Sequence, residues 1–373
     1  MEQATKVNSE WTHFLELPPS CIEFCPAHPS YFVVGTYNLQ KDEADAARDG
    51  AAQGEQPTNQ PQTRTGSLVV FRLEGSTARH VQTLIHPSAI LDLHFHPHRP
   101  DILAVVNSTG TLSLLQLAPP TSGGGNLLTE LAVNSPLPGA GGIIFTSCCW
   151  HPKSDNSIAI TTSTNEVHLF ELNGSWHITE TEDSTIHNHE DYAWTVAFSP
   201  DDTCPAVLSG GDDSRLLFTN TDDGSTEVLK GHQSGVTALL PLQHRPGSPD
   251  YILLTGSYDE HIRVYSMAGL PMLLAKANLG GGVWRLKQIS FTIDGDRWVA
   301  VILASCMHAG ARILRLSGDD EGCKIDILAR FEEHTSMNYG SDFHPVDGDR
   351  QDLVCVSTSF YDKRMCIWKF AVE

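Results

Sequence analysis

The chain lacks any apolar run approaching the ~20 residues that a membrane-spanning helix needs, so insertion through helices is not expected. It is also short of positive charge. Lys and Arg number 24 against 45 Asp and Glu, for a net charge of −21 over 373 residues. Nucleic acid and anionic membrane surfaces demand a basic face, so neither is the expected direct partner. The balance favours solubility and a basic protein partner. No Gly-x-Ser-x-Gly nucleophile elbow is present, which argues against an ordinary α/β-hydrolase. No His-Glu-x-x-His or paired Cys-x-x-Cys occurs, so neither a resident metal nor another cofactor is expected. Residues 1–10 are polar and carry no apolar signal core. The cysteines number nine, an odd count. Several of them (Cys148, Cys149, Cys355) sit in apolar, strand-like runs and read as reduced, buried thiols of a cytoplasmic protein.

What is present is a repeat. Leu253-Leu254-Thr255-Gly256-Ser257 is apolar and small, as a buried strand is, and Asp259 and Glu260 occupy a turn. Ile262 and Val264 then alternate with polar neighbours. Upstream stand Gly231-His232 and a further strand-like run, 236–240. A Gly-His, two strands, a turn Asp and a third strand form one blade of a WD-repeat propeller. In such a blade the turn Asp can accept hydrogen bonds from turn amides and from the His, tying the turn to the loop before it. Tyr265 stands where the repeat usually ends in Trp.

The pattern recurs. Turn residues Asn165, Asp213, Asp259 and Asp362 are separated by 48, 46 and 103 residues, the last about two periods of a ~45-residue repeat. The blades fall near 21–86, 89–133, 143–181, 192–229, the stretch around 231–265, 283–331 and 337–370. The seventh ends in Ile367-Trp368-Lys369 with no fourth strand left. Residues 11–17 alternate weakly and can supply it, closing the ring and removing two exposed sheet edges. The expected fold is therefore an all-β, seven-bladed WD40 β-propeller closed by its N-terminal strand. It should form a single unit over 1–373, and a monomer. The segment 40–64, without large apolar residues, is expected to be a disordered insertion. His94, His96 and His98 tempt a metal reading. Alternation puts only His94 and His96 on one face, with no carboxylate partner evident, so structural roles are expected. The Gly-rich run 122–126 has no following Lys-Ser or Lys-Thr and is not a phosphate cradle.

In a propeller, the loop entering each inner strand and the turn between the middle strands share one face around the channel mouth. The unusual polar and aromatic residues fall on these segments. They include His187, His189 and Trp194 entering blade four, with Asp212 and Asp213 in its turn. Tyr258, Asp259 and Glu260 follow in blade five. Gly280-Gly281-Gly282-Val283-Trp284-Arg285 enters blade six, whose turn is Cys306-Met307-His308-Ala309-Gly310. His334, Tyr339 and Asp342 enter blade seven, and Phe360-Tyr361-Asp362 is its turn. Asp213, Asp259 and Asp362 are read as structural turn residues, with His232 and His334 their partners. His308 stands where other blades carry Asp. That local rule-breaking is the kind expected at a functional site.

The sequence from Gly256 to Arg263, with Gly280-Gly281-Gly282-Val283-Trp284-Arg285-Leu286-Lys287, Met307-His308-Ala309-Gly310, Tyr339-Gly340-Ser341-Asp342 and Ser359-Phe360-Tyr361-Asp362, resembles the diphthine methyl ester hydrolases. These WD-repeat proteins of the diphthamide pathway are also called diphthine methyltransferases. Asp191-Tyr192-Ala193-Trp194 and Gly210-Gly211-Asp212-Asp213 fit as well, so the likeness is clear over blades three to seven. The resemblance implies hydrolysis of a methyl ester on a methylated diphthine of translation elongation factor 2, giving diphthine and methanol before the final amidation. Such chemistry asks for a cation pocket, a base to activate water and donors for the oxyanion. Trp284, Trp194, Tyr258, Tyr361 and Tyr339 are the candidate substrate-binding aromatics. His308 is the candidate base, oriented by Glu260 or Asp342, and Arg285 or the glycine amides are candidates for the oxyanion. The rival expectation is a non-catalytic WD-repeat scaffold.

Overall fold

The computed structural model describes residues 4–39, 63–119, 125–137, 142–200, 205–243, 250–319, 322–344 and 352–371. The expected insertion at 40–64 lies almost wholly outside them, as does part of the run 122–126. The described residues form seven antiparallel sheets, each running outward from an innermost strand. The innermost strands are Pro19–Phe24, Ile90–Phe95, Phe145–Trp150, Ala193–Phe198, Val236–Gln243, Arg285–Asp294 and Ser341–Phe343, for blades one to seven in order. Each packs against the next, and that of blade seven against that of blade one, so the sheets close a ring around a channel.

The sequence pattern explains the layering. Second strands such as Ile102–Asn107 are buried along their whole length and carry near-continuous apolar residues, because a sheet covers each face. Outer strands such as Met272–Asn278 meet solvent and mix exposed with half-buried positions. Core clusters lie between neighbouring blades. Leu254, Ile262 and Val264 of blade five pack with Trp298, Ile302 and Leu314 of blade six. Each fully buried aliphatic side chain contributes roughly 1.5–3 kcal/mol.

Closure follows the expected scheme. Ser9–Phe14 pairs antiparallel with Arg364–Phe370 and is the fourth strand of blade seven. Ser9 donates its amide to Glu333 at 3.0 Å, and Glu333 also pairs with Arg364 at 3.0 Å. A further strand is unanticipated: Thr5–Val7 adds in parallel to Cys323–Phe331 of blade six. The N-terminal segment therefore bridges two blades. The fourth strand of blade three is Thr185–Asn188, beyond the boundary expected at 181. His187 thus lies in that strand rather than in the loop entering blade four, and it bridges Ser209 and Thr219 at 2.6 and 2.8 Å.

The turn networks follow the expectation in blade four and depart from it in blade five. Asp213 accepts from His189 Nδ1 at 3.0 Å and from the amides of Glu190 and Arg215. Asp259 instead pairs with Arg263 at 2.6 Å, while His232 bonds Thr255 at 2.8 Å. An arginine four residues along the same hairpin reaches the carboxylate and displaces the histidine. In blade seven His334 and Trp368 share Ser357, and Asp362 holds Thr335. No helix of the described residues is long and apolar enough to cross a membrane.

Candidate functional site

All seven innermost strands begin on one face, and the aromatic residues at their starts meet there. Trp284 lies at the centre, with ring centroids 5.6 Å from Trp194, 5.8 Å from Tyr258 and 5.0 Å from Tyr339. Tyr339 continues to Phe360 at 5.5 Å, and Phe360 to Tyr361 at 5.0 Å. These are edge and tilted contacts at ring-to-ring packing distance. The rings therefore touch one another and build a continuous aromatic wall, not an open box. A cation would rest on the face of this wall. Tyr361 is its outermost member, 72% exposed. Burial raises the phenol pKa values of Tyr258 and Tyr339 above the ordinary range, keeping both neutral donors.

His308 and Glu260 sit beside the wall, with His308 Nε2 3.9 Å from Glu260 Oε1. Glu260 is in the left-handed region at φ 67°, and Asn278 donates to its other oxygen at 3.1 Å. The turn carrying His308 is held by its own backbone. Ala309 N donates to Cys306 O at 2.8 Å, and Asn338 N donates to Met307 O at 2.9 Å. No turn carboxylate is needed there, so the His308 side chain faces outward beside Glu260, 56% exposed. The glycine run explains the close approach of this turn to the wall. A Cβ on Gly281 would stand 2.3 Å from Cys306 O, and one on Gly282 2.5 Å from Met307 Sδ and 3.4 Å from Tyr258 Cα. The run reads in sequence as a flexible loop or an anion nest; its tight packing is what requires glycine here.

Two candidates lie elsewhere. Asp342 is buried inside the channel, where Lys287 Nζ reaches it at 2.8 Å and Phe24 N donates at 2.7 Å. Arg285 turns its guanidinium down the channel onto Asp92 at 3.0 Å while remaining 5.3 Å from the Trp284 ring centroid, a cation of the chain itself against the inner side of the wall. They belong to a chain of charges running Arg285, Asp92, His94, Glu23, Lys287, Asp342. His94 Nδ1 lies 2.8 Å from Glu23 and its Nε2 3.4 Å from Asp92. The absence of a carboxylate partner for His94, expected from sequence, is thus corrected: Glu23 comes from the preceding blade and Asp92 from its own strand. Burial opposes the charge on His94, yet Asp92 and Glu23 outweigh it and lift the pKa to about 10. Burial likewise opposes ionisation of Asp92, but Arg285 and His94 hold its pKa well below the usual range. Burial raises the Asp342 pKa and prevails over Lys287. Beyond this chain, toward the opposite face, opens a cavity of about 550 Å³ walled by Phe24, Phe95, Trp150 and Phe198.

Sequence reasoning passed over Asp212 as a site residue. Its carboxylate and the Tyr258 ring both abut Gly235, where a Cβ would lie 2.5 Å from Asp212 Oδ1 and 3.0 Å from Tyr258 Cδ2. Burial raises its pKa first of all, the neighbouring Asp191 and Asp213 add to that, and the Trp194 indole opposes it. That indole N–H is buried and makes no hydrogen bond of normal geometry among the described residues. The signal for Asp212 in the sequence was the doubled acid, since one turn needs one Asp.

The family described as WD domain, G-beta repeat, matches residues 180–219 and 224–266. A Schizosaccharomyces pombe protein named diphthine methyltransferase is 29% identical over 366 residues, covering 96% of each chain. A Dictyostelium discoideum diphthine methyltransferase homolog is 27% identical, covering 96% of this chain and 98% of its own. The Homo sapiens diphthine methyltransferase is 28% identical over 88% of this chain and 73% of its own. Among solved structures, a chain of the mitotic checkpoint complex superposes with a TM-score of 0.66 at 12% identity, over 99% of this chain and 94% of that one. That likeness concerns the fold alone.

Proposed function

We propose that this chain, 27–29% identical to WD-repeat proteins named diphthine methyltransferase, hydrolyses the methyl ester of methylated diphthine on translation elongation factor 2. The observation that carries this reading is the placement of His308 and Glu260, 3.9 Å apart, beside an aromatic wall at the channel mouth. In the proposed reaction His308 takes a proton from water as the water oxygen bonds to the ester carbon. Glu260 orients the imidazole and stabilises the imidazolium. The tetrahedral intermediate then breaks its bond to the methoxy oxygen, which leaves as methanol with the proton from His308. The carboxylic acid so formed loses the second water proton to solvent, leaving a carboxylate beside the unchanged trimethylammonium. Arg285, held by Asp92, is replaced in this scheme by the amides of Gly281 and Gly282 as the oxyanion donors. The wall takes the trimethylammonium on its face, where a cation over aromatic rings gains about 0.5–2 kcal/mol. The strongly negative chain suits a basic protein substrate in the cytoplasm.

The test is methanol release from methyl-esterified elongation factor 2 by the purified protein, measured in a single turnover. Release that depends on His308 supports the hydrolase. A folded protein that releases none from a verified substrate is a scaffold in the same pathway.

A further inference from the structure

We propose that Asp212 is the counter-ion of the cation site, so that the wall of Trp194, Tyr258 and Trp284 binds a methylated ammonium as an ion pair with a carboxylate. The inference rests on the same site as the proposed hydrolysis, but its observations are independent of any ester chemistry.

The first observation is how other carboxylates of the propeller are satisfied. Asp92, Glu23 and Asp342 each meet a cation in the channel. Asp213 and Asp259 accept turn amides and a His or Arg, and Asp362 accepts the amide and hydroxyl of Thr335. Asp212 stands directly before Asp213 and does none of this. No cation pairs with its carboxylate among the described residues; the Trp194 indole lies beside it, and its backbone amide donates to Tyr192 O at 2.8 Å. A partly desolvated carboxylate that faces a neutral donor and no cation keeps a desolvation cost that a bound cation offsets.

The second observation is the company it keeps. Asp212 and Tyr258 crowd the same Cα of Gly235, and Tyr258 is 6.5 Å from Trp194 and 5.8 Å from Trp284, centroid to centroid. The buried indole of Trp194 lies beside the Asp212 carboxylate and lowers its pKa, and its N–H makes no hydrogen bond of normal geometry among the described residues. Ring faces carry negative potential, and so does the carboxylate. Asp191 and Glu260 extend that sign along the rim. Rings offer no hydrogen-bond acceptors in the plane of their faces, so this surface suits a diffuse, methyl-covered cation better than a hydrated ammonium. The Gly235 position, closed by two side chains, requires glycine so that Asp212 can lie against the wall.

The experiment uses choline as the probe, with quenching of tryptophan fluorescence as the readout. Its neutral isostere 3,3-dimethyl-1-butanol and methylammonium are the comparison ligands. The intact protein should bind choline at least tenfold more tightly than the neutral isostere and more tightly than methylammonium. Asp212→Asn should lose about tenfold in choline affinity and little for the isostere, while Asp212→Glu retains most of the preference. With methyl-esterified elongation factor 2, Asp212→Asn should raise KM and leave kcat nearly unchanged. Equal binding of choline and its isostere by the intact protein overturns the proposal, even if Asp212→Asn fails to fold. So does an Asp212→Asn protein with a native melting curve and unaltered choline affinity. Choline binding with the expected preference in a protein that releases no methanol supports the cation site and removes the hydrolase reading. Methanol release without choline preference does the reverse.

Discussion

Two polar regions lie along the axis of this propeller, and they treat charge in opposite ways. In the channel, three acids and three bases alternate from Arg285 to Asp342, each within 3.5 Å of an opposite partner. At the rim, His308 and Glu260 stand 3.9 Å apart and half-exposed, and Asp212 has no cation. Buried charges that are fully paired hold blades together across sequence distances of several repeats. Rim charges left loose contribute little to the fold and are available to a ligand. Richness in titratable residues therefore does not separate the two regions; satisfaction does.

The largest expected effect comes from breaking the channel chain. Lys287→Met leaves Asp342 and Glu23 facing each other with one cation fewer. Removing one partner of a buried pair typically costs about 3–5 kcal/mol, and the partial exposure of Lys287 favours the lower end. Urea denaturation should show that loss, and adding Asp342→Asn should recover part of it. An unchanged midpoint for the single variant would show that the channel charges are as dispensable as surface ones.

The rim should respond in the reverse manner. His308→Asn keeps a side chain suited to turns, and the turn is held by backbone bonds alone. Its melting curve should match the parent, while methanol release falls by roughly 10²–10⁴-fold, the usual worth of a general base. Parent-like turnover would falsify the assignment and shift suspicion to Glu260. A large drop in melting temperature would instead place His308 among the structural residues.

This contrast was only half legible in sequence. The blades were readable because each repeats a local pattern: Gly-His, a buried strand, a turn acid. The closing strand was readable because blade seven ran out of chain. The aromatic wall was readable too, since topology alone sends residues such as Trp194, Trp284 and Tyr339 to one face. The partners in the channel were not. Glu23 and His94 are 71 residues apart, and Arg285 and Asp92 lie on the innermost strands of blades six and two. No spacing rule connects them, so Asp342 and Arg285 were assigned to the rim because they follow Tyr339 and Trp284. Strand alternation turns them inward instead. Asp212 was hidden for another reason. Its importance lies in a partner it lacks, which only the three-dimensional arrangement reveals.

Acid should separate the two regions next. Burial lowers the pKa of His232 and His334 to about 4 and that of His187 to about 3. In the unfolded chain each titrates near ~6.5. Below that value the unfolded state binds protons that the folded state refuses, so stability is full above about pH 6.5 and declines as pH falls toward 4. The slope is about 1.4 kcal/mol per pH unit for each such histidine. His232→Gln, which can still reach Thr255, should lessen the fall between pH 6.5 and 5 in denaturant titrations. The charged channel histidine, His94, contributes little slope below about pH 6, where folded and unfolded chains both hold it protonated; with its folded pKa raised to about 10, its contribution is instead lost as pH rises above about 6.5. Unaltered pH dependence in His232→Gln would transfer the effect to the other two.

The smallest expected effects belong to the wall, and they test whether it serves a ligand or the fold. Trp284 touches Trp194, Tyr258 and Tyr339 at once, whereas Tyr361 packs its ring on Phe360 and is largely exposed. Replacing either ring by alanine removes a cation-facing surface worth about 0.5–2 kcal/mol, with Tyr361 at the lower end. If the wall serves the ligand, Trp284→Ala should raise KM for the esterified substrate by several-fold while kcat holds. Tyr361→Ala should raise it about twofold with no change in melting temperature. Trp284→Leu separates packing from charge, because leucine fills much of the space but offers no π face. Equal KM values for Trp284→Leu and the parent would reduce the wall to a hydrophobic plug of the channel mouth. A KM close to that of Trp284→Ala, on a fold as stable as the parent, would assign the interaction to the ring itself.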